Sequence, residues 1–178
     1  IYRAITENTV DKDADARFKK IVQEIFPQWQ KVEYQLKEKW LSVDGYLPDA
    51  ETGQVHRRFK AEMALFKEEN IPITTEVRLR CKRYQEIIGG LSIEWKGEQL
   101  TIPQAEALLS DRERGVRERA WREMMKAYLA PRQELNDLFM ELLAKRRQLA
   151  QNAGFPDYRS YAWIDRGRFD YTPDDCLT

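Results

Sequence analysis

Metal and acid–base chemistry draw on His, Cys, Asp and Glu, and this chain of 178 residues has one histidine, His56, and two cysteines, Cys81 and Cys176. An H-E-x-x-H zinc helix needs two histidines one turn apart, so it cannot form within these residues. The cysteines are far apart and neither has a second cysteine nearby. That leaves no C-x-x-C metal pair and no disulfide framework, which fits a reducing, cytoplasmic compartment. Carboxylates are abundant, but Glu68/Glu69 and Asp174/Asp175 are sequence neighbours whose side chains point different ways on a helix, as on a solvated face. G-x-G-x-x-G, P-loop and G-x-S-x-G patterns do not occur. The residues nominate no catalytic, cofactor-binding or metal site.

Thirty basic residues cancel thirty acidic ones. Without a global field, neither nucleic acid nor an anionic membrane is an expected partner, and the clusters Lys145-Arg146-Arg147 and Arg166/Arg168 sit among acids. The chain contains no apolar run near the roughly 20 residues that span a bilayer, and "IYRAITENTV" is not a signal peptide. A third of the residues are charged, with eight glycines and seven prolines, which favours long, charge-laced helices. The length suits one domain or an elongated pair of subdomains.

From Asp13 to about Val43, Phe18, Ile21, Val22, Ile25, Trp29, Val32, Leu36, Trp40 and Val43 recur at spacings of three and four, one face of a helix about 45 Å long. The stripe keeps its phase across Pro27, so a kink is expected there. A turn over Asp44 to Gly53 ends the element. A second helix is expected over about Gln54–Asn70 with Val55, Phe59, Met63 and Phe66 on one face. Beyond Ile71-Pro72 a third spans about Thr74–Ile88, with Val77, Cys81, Tyr84 and Ile88 in line. On that stripe Cys81 is a small core residue before it is a reactive thiol. His56 lies beside the second stripe as a rim or capping residue.

In "LSIEWKGEQLTI", Leu91, Ile93 and Trp95 alternate with polar residues, Lys96-Gly97 can turn, and Leu100 and Ile102 resume the alternation. The hairpin predicted over about 91–102 sets Ile93 opposite Leu100 and Leu91 opposite Ile102, with Glu94 and Gln99 on the other face. Thr101 to Gln104 and Ser110 to Glu113 both fit a capping box, predicting a short helix over about Ile102–Leu109 and then a long one past Gln151, kinked at Pro131. A short helix over about Pro156–Asp165 leads to "RGRFDYT". Thr172-Pro173-Asp174-Asp175 then reads as a helix start that ends within its first turn. With no initiator methionine, the expectation is a segment of something longer.

The blocks "SIEWKGEQLTIPQAEALL", "SDRERGVRERAWREMM", "LLAKRRQLAQNAGFPDYRSYAW" and "GRFDYTPDDC" resemble, in order and spacing, the front portion of zinc oligopeptidases of the oligoendopeptidase F type, relatives of thimet oligopeptidase. "FKKIVQEIFPQWQKVEYQLKEKWL" and "FKAEMALFKEENIPI" are similar to the leading helices of that family. The resemblance implies a mainly α fold, an elongated bundle of long, kinked helices with one β-hairpin. It divides into a leading helical hairpin region over 1–90 and, over 91–178, the β-hairpin, the long helix and the start of a truncated helix. It also implies a metalloendopeptidase of short peptides, whose zinc and H-E-x-x-H helix lie downstream. This portion would form a wall of the substrate channel, bind no zinc itself, and have the carboxy-terminal catalytic half as its partner. Self-association is expected where that half would otherwise cover apolar surface.

Should any residue here meet substrate, the "GRFDY" loop is the first place to look. Arg168 could take a peptide carboxylate and Tyr171 could stack, or else Phe169 and Tyr171 are core and Arg168 pairs with Asp165 or Asp170. The rival class is a self-sufficient helical interaction domain presenting a groove to a partner.

Overall fold

A computed structural model of the chain describes residues 2–43, 49 and 52–177. These are mainly helical, with one two-stranded antiparallel hairpin, the fold class that the periodicity predicts. The expected turn over 44–53 falls largely outside the described residues. Helix α1 is Tyr2–Glu7, and a continuous helical run follows, made of α2 (Lys12–Lys20), a π-helical turn over Ile21–Ile25 and α3 (Phe26–Leu41). The π turn answers Pro27, which has no N–H for the carbonyl of Gln23 and whose ring would press on it. The ladder widens by one residue, Phe26 N–H bonding to the carbonyl of Ile21, and the helix continues.

Pro131 acts differently. Where one kinked helix is expected, α7 (Arg114–Leu129) and α8 (Arg132–Asn152) are separate. The ladder stops with Ala130 N–H on the carbonyl of Lys126 at 3.0 Å and restarts with Leu135 N–H on that of Pro131 at 2.9 Å. The capping box expected at Ser110 also does not form. Asp111 accepts from Glu113 N–H at 2.8 Å, and Arg117 donates to the carbonyls of Asp111 and Arg112, so the helix starts at Arg114.

Helix α4 (Gly53–Leu65) ends before the expected Asn70, because Phe66 leaves the helix with an extended backbone and stacks its ring on Tyr34 at 4.3 Å. Asn70 opens α5 (Asn70–Gly89) instead. Pro72 sits in the first turn of α5, where its missing N–H costs little, so Ile71-Pro72 begins the helix and does not precede it. The expected stripe on α5 is also displaced. Tyr84 is exposed and Cys81 half-buried, while Lys82 and Ile87 are buried. A lysine can be buried there because Asp15 and Glu86 both hold its ammonium.

The chain divides into two compact units, one of residues 1–18 and 79–141, the other of 19–78 and 142–178. In the first, β1 (Ser92–Trp95) pairs antiparallel with β2 (Glu98–Thr101), Ile93 facing Leu100 and Glu94 facing Gln99, as the alternation predicts. Lys96 and Gly97, with φ of 53° and 87°, form the tight turn that matches strand twist. A capping box at Thr101/Gln104 starts α6 (Ile102–Glu106). Ile93, Trp95, Ile102, Ala105, Ala120 and Met124 then make a core between hairpin, α6 and α7. The marginal hairpin gains its stability there.

In the second unit α3 lies along α4, with Trp40 edge-on to Phe59 at 5.3 Å. Asp157 caps α9 (Tyr158–Asp165), accepting from Ser160 N–H at 2.7 Å. Beyond it, Thr172 and Asp175 bond reciprocally around a 3-10 turn over Asp174–Cys176, so the expected helix-start signal is formed.

Truncating Ile93, buried to 4% exposure, by Ile93→Ala should cost about 2–4 kcal/mol, whereas Glu94→Ala on the solvated face should stay within about 0.5 kcal/mol. Urea melts of the two variants measure the contrast. Equal losses would contradict the register.

Candidate functional site

The second unit holds a polar cavity of about 330 Å³ whose walls come from α3, α4, the start of α5 and the end of α9. Two i,i+4 pairs build its charged floor. Lys37 on α3 reaches Glu33 on its own helix at 2.7 Å and Glu62 on α4 at 2.6 Å, and Glu62 also accepts from Arg58 at 2.7 Å. Desolvation opposes the charged forms of Lys37 and Glu62, but their mutual hydrogen bonds outweigh it: the ammonium is raised above its ordinary range and the Glu62 carboxyl held below its own.

Other groups lining the cavity are less well matched. Arg78 on α5 places its guanidinium over the Phe26 ring, 3.5 Å from the centroid, and among the described residues no carboxylate pairs with it. Burial alone lowers its pKa. The side-chain oxygen of Gln30 is buried without a hydrogen-bond partner. At the exposed rim, loss of hydration and then the nearby Glu62 push Asp165 above the usual carboxylate range against the opposing pull of Arg166 and Arg58, and burial raises the Tyr161 phenol to about 12. The cavity thus carries a paired anion–cation floor, one guanidinium and one carboxylate without ion-pair partners, and an unsatisfied acceptor.

The residues singled out in the sequence lie elsewhere. His56 is half-buried in the first turn of α4, and Cys176 is exposed. Among the described residues no group of three or more His, Cys, Asp or Glu converges as a metal site would require. The "GRFDY" loop is pinned to α4: Arg57 pairs with Asp170 at 3.0 Å, donates to the carbonyl of Phe169 at 2.7 Å and lies over the Phe169 ring. Arg168 pairs with neither Asp165 nor Asp170 but stacks on Trp163, 4.7 Å from the ring centroid. Tyr171 meets the same indole edge-on and remains 44% exposed. No helix among the described residues is long and apolar enough to cross a membrane.

No motif in the sequence marks Gln30, Lys37, Glu62 or Arg78, and Asp165 stands out there only as a partner for Arg168. The i,i+4 spacings Glu33/Lys37 and Arg58/Glu62 were a signal that these helix faces pair, but nothing in the spacing marks Arg78, whose isolation depends on what the fold leaves away from it.

Residues 107–178 match the model of peptidase family M3. No curated protein matches the chain. Among solved structures, a protein described as an oligoendopeptidase F from Bacillus anthracis str. Ames superposes with a TM-score of 0.87 at 17% identity, over 97% of this chain and 32% of that one. PZ peptidase A crystallised with an inhibitor gives 0.87 at 18%, over 97% and 31%. A second protein described as an oligoendopeptidase F gives 0.88 at 19%, again over 97% and 31%. The fold is therefore that of oligoendopeptidase F chains, and this chain spans about a third of their length.

Because Glu62 has a depressed folded pKa, the stability it brings is in place above its ordinary value of 4.5 and is lost as pH falls through the lower folded value. Glu62→Gln should remove that component. The gap between wild-type and variant urea midpoints should be wide at pH 7 and narrow toward pH 3. Lys37→Met, which leaves Glu62 with Arg58 alone and takes from Glu33 its i,i+4 partner, should cost about 1–3 kcal/mol at pH 7.

Proposed function

We propose that this chain is the amino-terminal helical portion of a zinc-dependent oligopeptidase that hydrolyses short peptides, and that it forms a wall of the substrate channel without cleaving bonds itself. The observation that carries this reading is the agreement of two comparisons. The family M3 match runs over residues 107–178, while the fold match runs over 97% of the chain but only 31–32% of the oligopeptidase structures. Zinc, water activation and the scissile bond belong, on this reading, to the part of the protein with which these residues pack. The contribution made here is steric: long helices that hold a channel to the width of a short peptide. A cytoplasmic location goes with it, supported by two cysteines that form no disulfide among the described residues.

The chain alone should neither retain zinc after dialysis nor hydrolyse a quenched fluorescent peptide. Mixing it with a separately expressed remainder of the protein, starting near Thr172, should bring up chelator-sensitive hydrolysis. Stoichiometric zinc and turnover by these residues alone would overturn the proposal, as would a remainder of the protein that shows no response to them.

A further inference from the structure

Two charges of opposite sign line the cavity of the second unit without meeting each other. Arg78 has its guanidinium against Phe26 and no carboxylate partner among the described residues, and Asp165 forms no salt bridge there. The other charges at the floor are satisfied: Lys37 lies between Glu33 and Glu62, and Glu62 also holds Arg58. Folding has therefore partly dehydrated the Arg78 cation without giving it a counter-charge, and has set the exposed Asp165 at the rim of the same concave space, where Arg166 and Arg58 act on it only from beyond ion-pair distance. The buried oxygen of Gln30 adds an acceptor in want of a donor. Tyr34 and Phe66, stacked on each other, supply an apolar wall.

We propose that this cavity binds a small zwitterion, a free amino acid or dipeptide, with its carboxylate on the fork of Arg78 and its ammonium on Asp165. A planar guanidinium suits a carboxylate through two parallel hydrogen bonds. The Gln30 oxygen accepts an N–H of the same ligand. At about 330 Å³ the cavity lies at the small end of ligand sites, room for about ten waters and so for a molecule of this size. A simple anion gains less, because Glu33, Glu62 and Asp165 share the walls. A simple cation gains less because Lys37 and Arg78 do. The lowered pKa of Arg78 agrees with a charge that has lost water and awaits a partner.

The ligand class follows from the cavity. That such a ligand would be a product of the enzyme rests on the peptidase reading, and binding is measured without hydrolysis, so one can fail while the other stands. Ligand-observed NMR and calorimetry on the 178-residue chain, with the dipeptide alanylphenylalanine, test it. The expected result is saturable binding weakened at least tenfold by amidating the carboxylate, by acetylating the amine, and by Arg78→Gln or Asp165→Asn. Phenylalanine alone separates the two sources: binding as tight as the dipeptide assigns the site to amino acids, much weaker binding to dipeptides. The capped ligands leave the protein untouched, so a variant that fails to fold does not blunt the test. No binding, or equal binding of free and capped dipeptides, overturns the proposal.

Discussion

The second unit depends on one buried amide. Asn70, 5% exposed, donates through Nδ2 to the carbonyl of Leu149 at 3.0 Å and accepts through Oδ1 from Asn152 at 2.8 Å, while its backbone carbonyl accepts from the Thr74 hydroxyl at 2.8 Å. A buried amide left unpaired would cost on the order of 1–3 kcal/mol, so these bonds act as a register. They allow α5 to begin at one place relative to the last turn of α8. Because α5 begins there, Thr74 and Arg78, one and two turns on, line the cavity. Leu149 and Ala150, buried at 6% and 0%, close the packing around the same node.

The first unit is ordered by another buried polar group of opposite character. Lys82 is buried with Asp15 and Glu86 on its ammonium, and burial works against its charge before the two carboxylates more than restore it. Such a triad contributes little net stability, since desolvation of three charges offsets their attraction. It does oblige α2 to meet α5 in a single register. Arg83 to Glu134 at 2.6 Å and Arg80 to Glu141 at 2.6 Å are exposed by comparison and are worth little each. The apolar work in this unit falls to the hairpin core, where Ala105 and Ala120 at 0% exposure let α6 and α7 approach closely.

Which parts were legible in the sequence follows from the range of the physics. The hairpin is legible to its register because alternation and a Lys-Gly turn are local and leave no competing pairing. The Thr101/Gln104 box and the helix start at Thr172 are local in the same way, whereas the equally local Ser110/Glu113 pattern loses to Asp111, which takes the Glu113 N–H itself. The prolines are legible as positions but not as outcomes. Pro27 and Pro131 stand in similar stripes, yet one is absorbed by a π turn and the other divides two helices, a choice made by packing. The α5 stripe failed because a lysine with two carboxylate partners can take a core position that hydropathy assigns to Tyr84. The cavity is out of reach for a different reason: it is marked by an arginine without a carboxylate and a buried glutamine oxygen without a donor, and a missing contact has no spacing.

On the proposed function, a fold shared at TM-scores of 0.87–0.88 with proteins only 17–19% identical to this chain has a physical reason. Catalysis fixes atoms within a fraction of an ångström and so fixes residue types at set spacings. A wall that admits or excludes by width needs only its surface in place, and many sequences pack helices to the same surface provided that volume and patterning are kept. On the proposed function, a segment without a motif is what a steric task leaves behind. Its identity is carried by the order and length of its helices, by the prolines and buried polar residues that set their registers, and by a hairpin too short to stand alone.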